Sequence, residues 1–271
     1  MTIHPSQAKR KKNIEWSNES WNWQSGCTGP NGDGVHCPGC YAKSRARMLA
    51  GRYGYPEAPD HFKPTLHPDK LYLGHNYAGH PALRVKPRIF FSVSMGDWMD
   101  TEDEWMREAC GIMKANQRHI FMTLTKKYDQ LGKIPASFED GYIPENVWVL
   151  ISVCYETQVW GVDKLKELDA AVLGLSVEPM MQDLASRIDF EGIDLVIIGG
   201  RTSHDGVPAF RPPRRWVIDM VNKAHDAGAS VFLKPSLDYV PLWYEEPIEE
   251  MPFHRMSKDS PWHPEEDEAD D

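Results

Sequence analysis

The sequence predicts an α/β fold, a partial barrel of six to seven β–α units in a single domain. Three observations predict it. Seven short β-rich runs recur along 271 residues. The spacers between them carry helical periodicity. Almost every run ends in polar or glycine residues at its C-terminal side.

The first run is 14–16, just before a cysteine-bearing loop. The others are 88–94, 119–125, 147–153, 171–177, 194–200 and 230–234. Several are apolar at consecutive positions, as strands buried on both faces must be, and that is the pattern of a parallel sheet covered by helices. Helices are expected at 42–50, 102–117, 160–170 and 215–227. In 102–117, Trp105, Ala109, Ile112 and Met113 recur at helical spacing. Alternating strands and helices imply parallel strands joined by right-handed crossovers, a TIM-like arrangement.

Outside this rhythm lie three segments. Residues 1–13 form a basic arm containing Lys9-Arg10-Lys11-Lys12. Residues 53–87 are rich in Pro, His, Gly and Tyr and read as an insertion over the barrel mouth. Residues 238–271 are Pro-rich and then acidic, a loosely packed extension of the 14–237 barrel.

Composition narrows the function classes. The chain is 41% apolar and 26% charged, enough to build a core without disulfides or metals as staples. A metal site here would therefore serve function rather than folding. Of the net charge of -10, six charges fall on Glu265, Glu266, Asp267, Glu268, Asp270 and Asp271. The body is mildly acidic, unlike a domain built as a nucleic-acid binder. No apolar leader follows the first residues and no run approaches membrane-spanning length, so the chain reads as cytoplasmic and non-membrane. Five cysteines argue against a disulfide framework.

Three of those cysteines carry the chemistry. Cys27, Cys37 and Cys40 have the spacing C-x9-C-x2-C in a glycine-rich loop. Three thiolates suit a soft metal centre and leave one iron of a four-iron cluster open to another ligand. The same three, with His4 or a histidine of 53–87, would equally make a structural zinc site, and the protein would then be a nucleic-acid-binding or partner protein without redox chemistry. In βα folds the functional rim is the C-terminal ends of the strands. That rim would collect Ser94-Met95-Gly96-Asp97, Lys126, Glu178, Gly199-Gly200-Arg201 and Lys234. Cys110 reads as core, and Trp16, Trp21 and Trp23 as packing beneath the cysteine loop.

Several stretches together resemble a phage-associated three-cysteine family: Ile14-Glu15-Trp16-Ser17, Trp21-Asn22, Gly26-Cys27 and Cys37-Pro38-Gly39-Cys40-Tyr41-Ala42. Ser94-Met95-Gly96-Asp97, Leu124-Thr125-Lys126-Lys127, Ser176-Val177-Glu178-Pro179, Ile198-Gly199-Gly200 and Phe232-Leu233-Lys234 follow in the same order. That family is similar in turn to radical SAM proteins, including the spore-photoproduct-lyase type of DNA repair enzyme.

The resemblance implies a barrel of radical SAM type. Cys27, Cys37 and Cys40 would ligate a [4Fe–4S] cluster, with S-adenosylmethionine as cosubstrate. Ser94, Gly96 and Asp97 would meet the amino group or ribose of that cosubstrate, and Gly199 and Gly200 its adenine or methionine part. Tyr41 would pack on the cluster or adenine. Lys126, Glu178 and Lys234 would contact substrate or cosubstrate, and Cys154 would act as a radical donor or resolving thiol. A nucleobase or nucleotide substrate, an external electron donor and a protein partner are further implications, in a host cytoplasm if the protein is phage-encoded. Two alternatives stand beside these roles: Asp97 as an N-cap or turn residue before the helix expected from Glu102, and Glu178 and Lys126 as rim salt-bridge residues. The chain departs from the wider pattern in its nine-residue first gap, in Gly39 where an aromatic is usual, and in Arg201 where the family has Glu.

Overall fold

The computed structural model describes residues 14–75, 77–237 and 248–264. The basic quartet 9–12, His4 and the acidic cluster 265–271 lie outside the described residues.

Seven parallel strands form a curled sheet, a half-barrel. They are β1 (Glu19–Trp21), β4 (Ile89–Ser92), β5 (Ile120–Thr125), β6 (Val147–Ser152), β7 (Leu173–Val177), β8 (Leu195–Ile198) and β9 (Ser230–Leu233), paired in that order. A separate antiparallel pair, β2 (Gln24–Ser25) with β3 (Thr65–Leu66), flanks it. The helices are α1 (Tyr41–Leu49), α2 (Pro68–Leu71), α3 (Asp103–Ala115), α4 (Lys133–Ala136), α5 (Gly161–Lys166) and α6 (Arg214–Asp226). Among the described residues no helix is long and apolar enough to cross a membrane.

Side chains alternate between two apolar layers, as the period of a strand requires. Phe90, Phe121, Val149, Ile151, Leu175, Val196 and Val231 join the helix-side core with Met106, Ala109, Cys110 and Met113 of α3 and Val217, Met220 and Val221 of α6. Ile89, Phe91, Ile120, Met122, Trp148, Leu150, Leu195, Ile197 and Phe232 form the inner layer. Cys110 is core, as its helix position predicts.

Three sequence expectations change. Residues 14–16 are a turn, closed by Ser17 N–H donating to the Ile14 carbonyl at 3.1 Å. The first strand lies at Glu19–Trp21 instead. Trp16 serves the barrel differently, tilted against Phe91 at 4.6 Å between ring centroids within the inner layer. Second, α5 stops at Lys166, short of the expected 170. Third, the extension is packed over 248–264. Met251, Met256 and Trp262 are buried in the inner layer. Glu250 N–H donates to the Val231 carbonyl at 2.9 Å, and Trp262 Nε1 donates to the Arg118 carbonyl at 3.0 Å. A half-barrel cannot fill its own concave face, and this segment supplies the missing side chains.

The insertion is also more ordered than its composition indicates. Tyr55 and Phe62 pack beside the cysteine loop. From Leu66 onward the segment lies along the outer side of β1, where Leu71 packs with Trp21 and Arg84 pairs with Glu19 at 2.6 Å. Truncating the plug should therefore be costly. Trp262→Ala is expected to lower the unfolding free energy by about 3–5 kcal/mol, read from urea denaturation against the unaltered protein.

Candidate functional site

The inner face changes character along each strand. Leu124 gives way two residues on to Lys126, Leu150 to Ser152 and then Cys154, and Phe232 to Lys234 and Ser236. The apolar members belong to the inner layer. The polar members line one cavity of about 740 Å³ at the C-terminal ends of the strands. Parallel register places these switches at one level, since Ile151 faces Leu175, Ser152 faces Ser176 and Ile197 faces Phe232.

The cysteine loop sits over this mouth. Cys37 and Cys40 line the cavity; Cys27 faces a smaller one of about 220 Å³ on the other side of the loop. All three thiols are free and partly buried. The Cys27 Sγ accepts from Gly29 N–H at 3.2 Å, and the Cys40 Sγ from Lys43 N–H at 3.5 Å, which also caps α1. Burial raises the Cys27 thiol well above its ordinary value, and Asp97 and Asp100 add to the rise. Burial raises Cys40 also. Among the described residues no three Cys, His, Asp or Glu side chains are drawn together as a ligand shell.

The loop environment nonetheless fits an inorganic sulfur-bound group by its donor chemistry. Besides the three thiols, the Nδ1 of His36 and both ring nitrogens of His61 are buried without a hydrogen-bond partner. Both histidines line the smaller cavity with Cys27. Buried polar atoms seldom stay unpaired, so these ring nitrogens leave unused donor and acceptor capacity beside Cys27 in the smaller cavity.

Two contacts fix the loop to the barrel. The first is a close backbone approach. Gly26 N–H donates to the Met95 carbonyl at 3.0 Å, and Asp97 N–H to the Gly26 carbonyl at 3.3 Å. A β-carbon on Gly96 would lie 2.4 Å from the Gly26 carbonyl oxygen. The closeness that Gly96 permits is thus to the chain itself. Just before it, Val93 takes a left-handed backbone, φ 65°, an unfavourable geometry for a β-branched residue.

The second is a buried ionic latch. Lys127 Nζ lies 2.6 Å from Asp100 Oδ1 and donates to Thr28 Oγ1 at 2.6 Å. Asp100 accepts from Thr28 N–H at 2.9 Å and from Thr28 Oγ1 at 2.7 Å. The Lys127 and Asp100 side chains are only 4% and 7% exposed. Sequence reasoning missed this trio, because nothing local pairs residues 28, 100 and 127.

The site residues singled out in the sequence fall as follows. Asp97 is buried, caps the 3₁₀ turn Trp98–Asp100 through Met99 N–H, and accepts from Thr125 Oγ1 at 2.7 Å and Lys126 N–H at 3.1 Å. Burial raises its pKa against the pull of these three bonds. The cap alternative is therefore the observed geometry, although Asp97 also borders the cavity. Ser94 donates to Asn22 Oδ1 at 3.1 Å, giving the Trp21-Asn22 pair a role in the site.

Glu178 forms an ion pair with Lys234, which Glu15 joins at 3.3 Å. Burial works against the Lys234 ammonium, but these two carboxylates outweigh it and raise its pKa. Cys154 Sγ donates to the Glu178 carbonyl at 3.3 Å, and burial raises its thiol. Gly200 N–H donates to Ser236 Oγ at 3.1 Å; Gly199 lies against Glu178, Lys234 and Ser236. Tyr41 is half exposed at the mouth, edge-on to His204 at 5.6 Å.

The segment following Gly200 closes over the loop. Arg201 and Phe210 pair across a hairpin whose Asp205 binds Arg47 of α1. Gly39 has φ 65°, and a β-carbon there would lie 3.1 Å from Val207. Here the hairpin occupies the space that an aromatic before Cys40 would need.

Removing one partner of the buried latch strands the other charge. Lys127→Met or Asp100→Asn alone is expected to destabilise by about 3–5 kcal/mol. The double variant should recover much of that loss, measured as a double-mutant cycle in urea.

Residues 11–257 match a family described as "Protein of unknown function (DUF5131)". No curated protein and no solved structure matches the chain. The family match spans nearly all of the half-barrel and its cysteine loop, and the chain belongs to the DUF5131 family.

Proposed function

We propose that this protein is an iron–sulfur enzyme of radical SAM type, with Cys27, Cys37 and Cys40 as the ligands of one [4Fe–4S] cluster and S-adenosylmethionine as cosubstrate. One observation carries the reading. A loop bearing three free thiols lies at the C-terminal mouth of a parallel half-barrel, and two of the thiols open into a cavity large enough for a cosubstrate and part of a substrate. When bound, such a group supplies one-electron cleavage of a sulfonium carbon–sulfur bond, giving a radical that takes hydrogen from a second molecule.

The protein's own part is binding, orientation and exclusion of water. The Gly26–Gly96 approach and the Thr28–Asp100–Lys127 latch hold the first ligand's end of the loop. Asp97, through Thr125 and the Lys126 backbone, holds the turn that carries Ser94 and Gly96 to the cavity wall. Ser94 and the backbones of Gly96 and Gly200 line the cavity that the cosubstrate would enter, with Gly199 behind the Glu178–Lys234 pair, and Tyr41 offers an aromatic face at the entrance. Glu178 and Lys234 present a bound pair of opposite charges, and Cys154 a protonated thiol able to give up a hydrogen atom. The apolar layer beneath them keeps bulk water from the floor of the site. The family resemblance supports a nucleobase or nucleotide substrate, an external electron donor and a protein partner.

Anaerobic purification with iron, sulfide and zinc analysis tests the reading. About four irons and four sulfides per chain, with a visible band bleached by dithionite, are expected. Cys37→Ala should lose both iron and colour while keeping its circular-dichroism spectrum. One zinc per chain and no colour after iron–sulfide reconstitution would overturn the proposal in favour of a structural zinc.

A further inference from the structure

We infer that the cavity recognises a ligand bearing an acid group, a carboxylate or a phosphate, through Lys126 and Arg201. Charge accounting of the lining leads to this pair. Among the described residues, three carboxylates line the cavity, Glu15, Asp97 and Glu178, and three cations, Lys126, Lys234 and Arg201. Glu15 and Glu178 are both committed to Lys234. Asp97 is committed to Met99 N–H, Thr125 Oγ1 and Lys126 N–H.

Two cations are left over. Lys126 Nζ makes no described hydrogen bond or ion pair; burial works against its ammonium, but Cys154, Cys37, Tyr128 and Asp97 act on it from farther away and outweigh that, raising its pKa. Arg201 spends only its Nε, on the Pro208 carbonyl at 3.1 Å, and no described carboxylate pairs with it. An ammonium and a guanidinium thus line one cavity, and neither makes a described ion pair. In a chain of net charge -10, two unpaired cations on one cavity wall are not a by-product of composition. A ligand's anionic group would give both a direct partner.

Their positions suit recognition. Lys126 continues the inward face of β5 beyond Leu124. Arg201 follows β8, and its stem passes Gly39, where a β-carbon would lie 3.6 Å from Arg201 Cδ. The two cations therefore come from different strand ends and border the Cys37–Cys40 turn. A guanidinium with two free nitrogens can take a carboxylate or phosphate by paired hydrogen bonds, while the ammonium acts as a point charge.

This inference names the substrate class for the proposed enzyme, yet its test does not depend on a cluster. The full chain, both as purified and after anaerobic iron–sulfide reconstitution, would be titrated by NMR with inorganic phosphate, succinate and uncharged succinamide. Binding of phosphate or succinate, with none of succinamide, is expected, and the stronger of the two anions identifies the acid group. Lys126→Met should weaken that binding by roughly tenfold or more and Arg201→Gln by roughly threefold or more. Lys164→Met, which removes an exposed lysine paired with Glu167, should leave it unchanged. Failure of both anions to bind the unaltered protein would overturn the inference, as would unchanged affinity in a folded Lys126→Met and a folded Arg201→Gln. A last arm repeats the titration with S-adenosylmethionine present. Retained binding assigns the anchor to the substrate; complete displacement gives it to the cosubstrate's own carboxylate and overturns the substrate assignment.

Discussion

Parallel register is the constraint on which the site depends. Seven strands run in one direction, so their C-terminal ends meet at one rim, and a position two residues beyond the apolar layer on one strand lies near its counterparts on the others. Lys126, Cys154, Glu178 and Lys234 are far apart in sequence and share a cavity for this reason alone. An antiparallel partner anywhere among the central strands would send its polar end to the opposite side.

Much of this was legible in the sequence because a doubly buried strand leaves a strong local trace. The runs at 88–94, 119–125, 147–153, 171–177, 194–200 and 230–234 each contain an observed strand, and each boundary either holds or moves inward by one or two residues. The exception at 14–16 is instructive. Ile14 and Trp16 are apolar because they seal the end of the inner layer, which asks for burial but not for extended backbone. Glu19-Ser20-Trp21 carries little apolar signal. It is a strand because Asn18 N–H and Ile89 N–H are tied across the pair, to the Ile89 carbonyl and Asn18 Oδ1 respectively.

The site was legible in its parts and not in its bonds. Residue chemistry pointed to the three cysteines and to the polar strand ends. Which carboxylate serves which cation was invisible, because those pairings cross 27 residues for Asp100 and Lys127 and 56 for Glu178 and Lys234. Asp97 shows the limit most clearly. An acidic residue after a glycine at a strand end suits a ligand and suits a helix cap equally well. Only the surrounding donors, Met99 N–H, Thr125 Oγ1 and Lys126 N–H, decide between them.

The plug formed by residues 248–264 has a consequence for biogenesis. It follows every barrel strand in chain order, and Met251, Met256 and Trp262 are part of the inner layer. A ribosome-bound chain that has released β9 still presents a concave apolar surface to the surroundings. Closure waits for contacts of very long sequence separation, such as Trp262 with Arg118, and such contacts form slowly. During that interval apolar surface stays exposed, the condition under which chains of this size tend to aggregate.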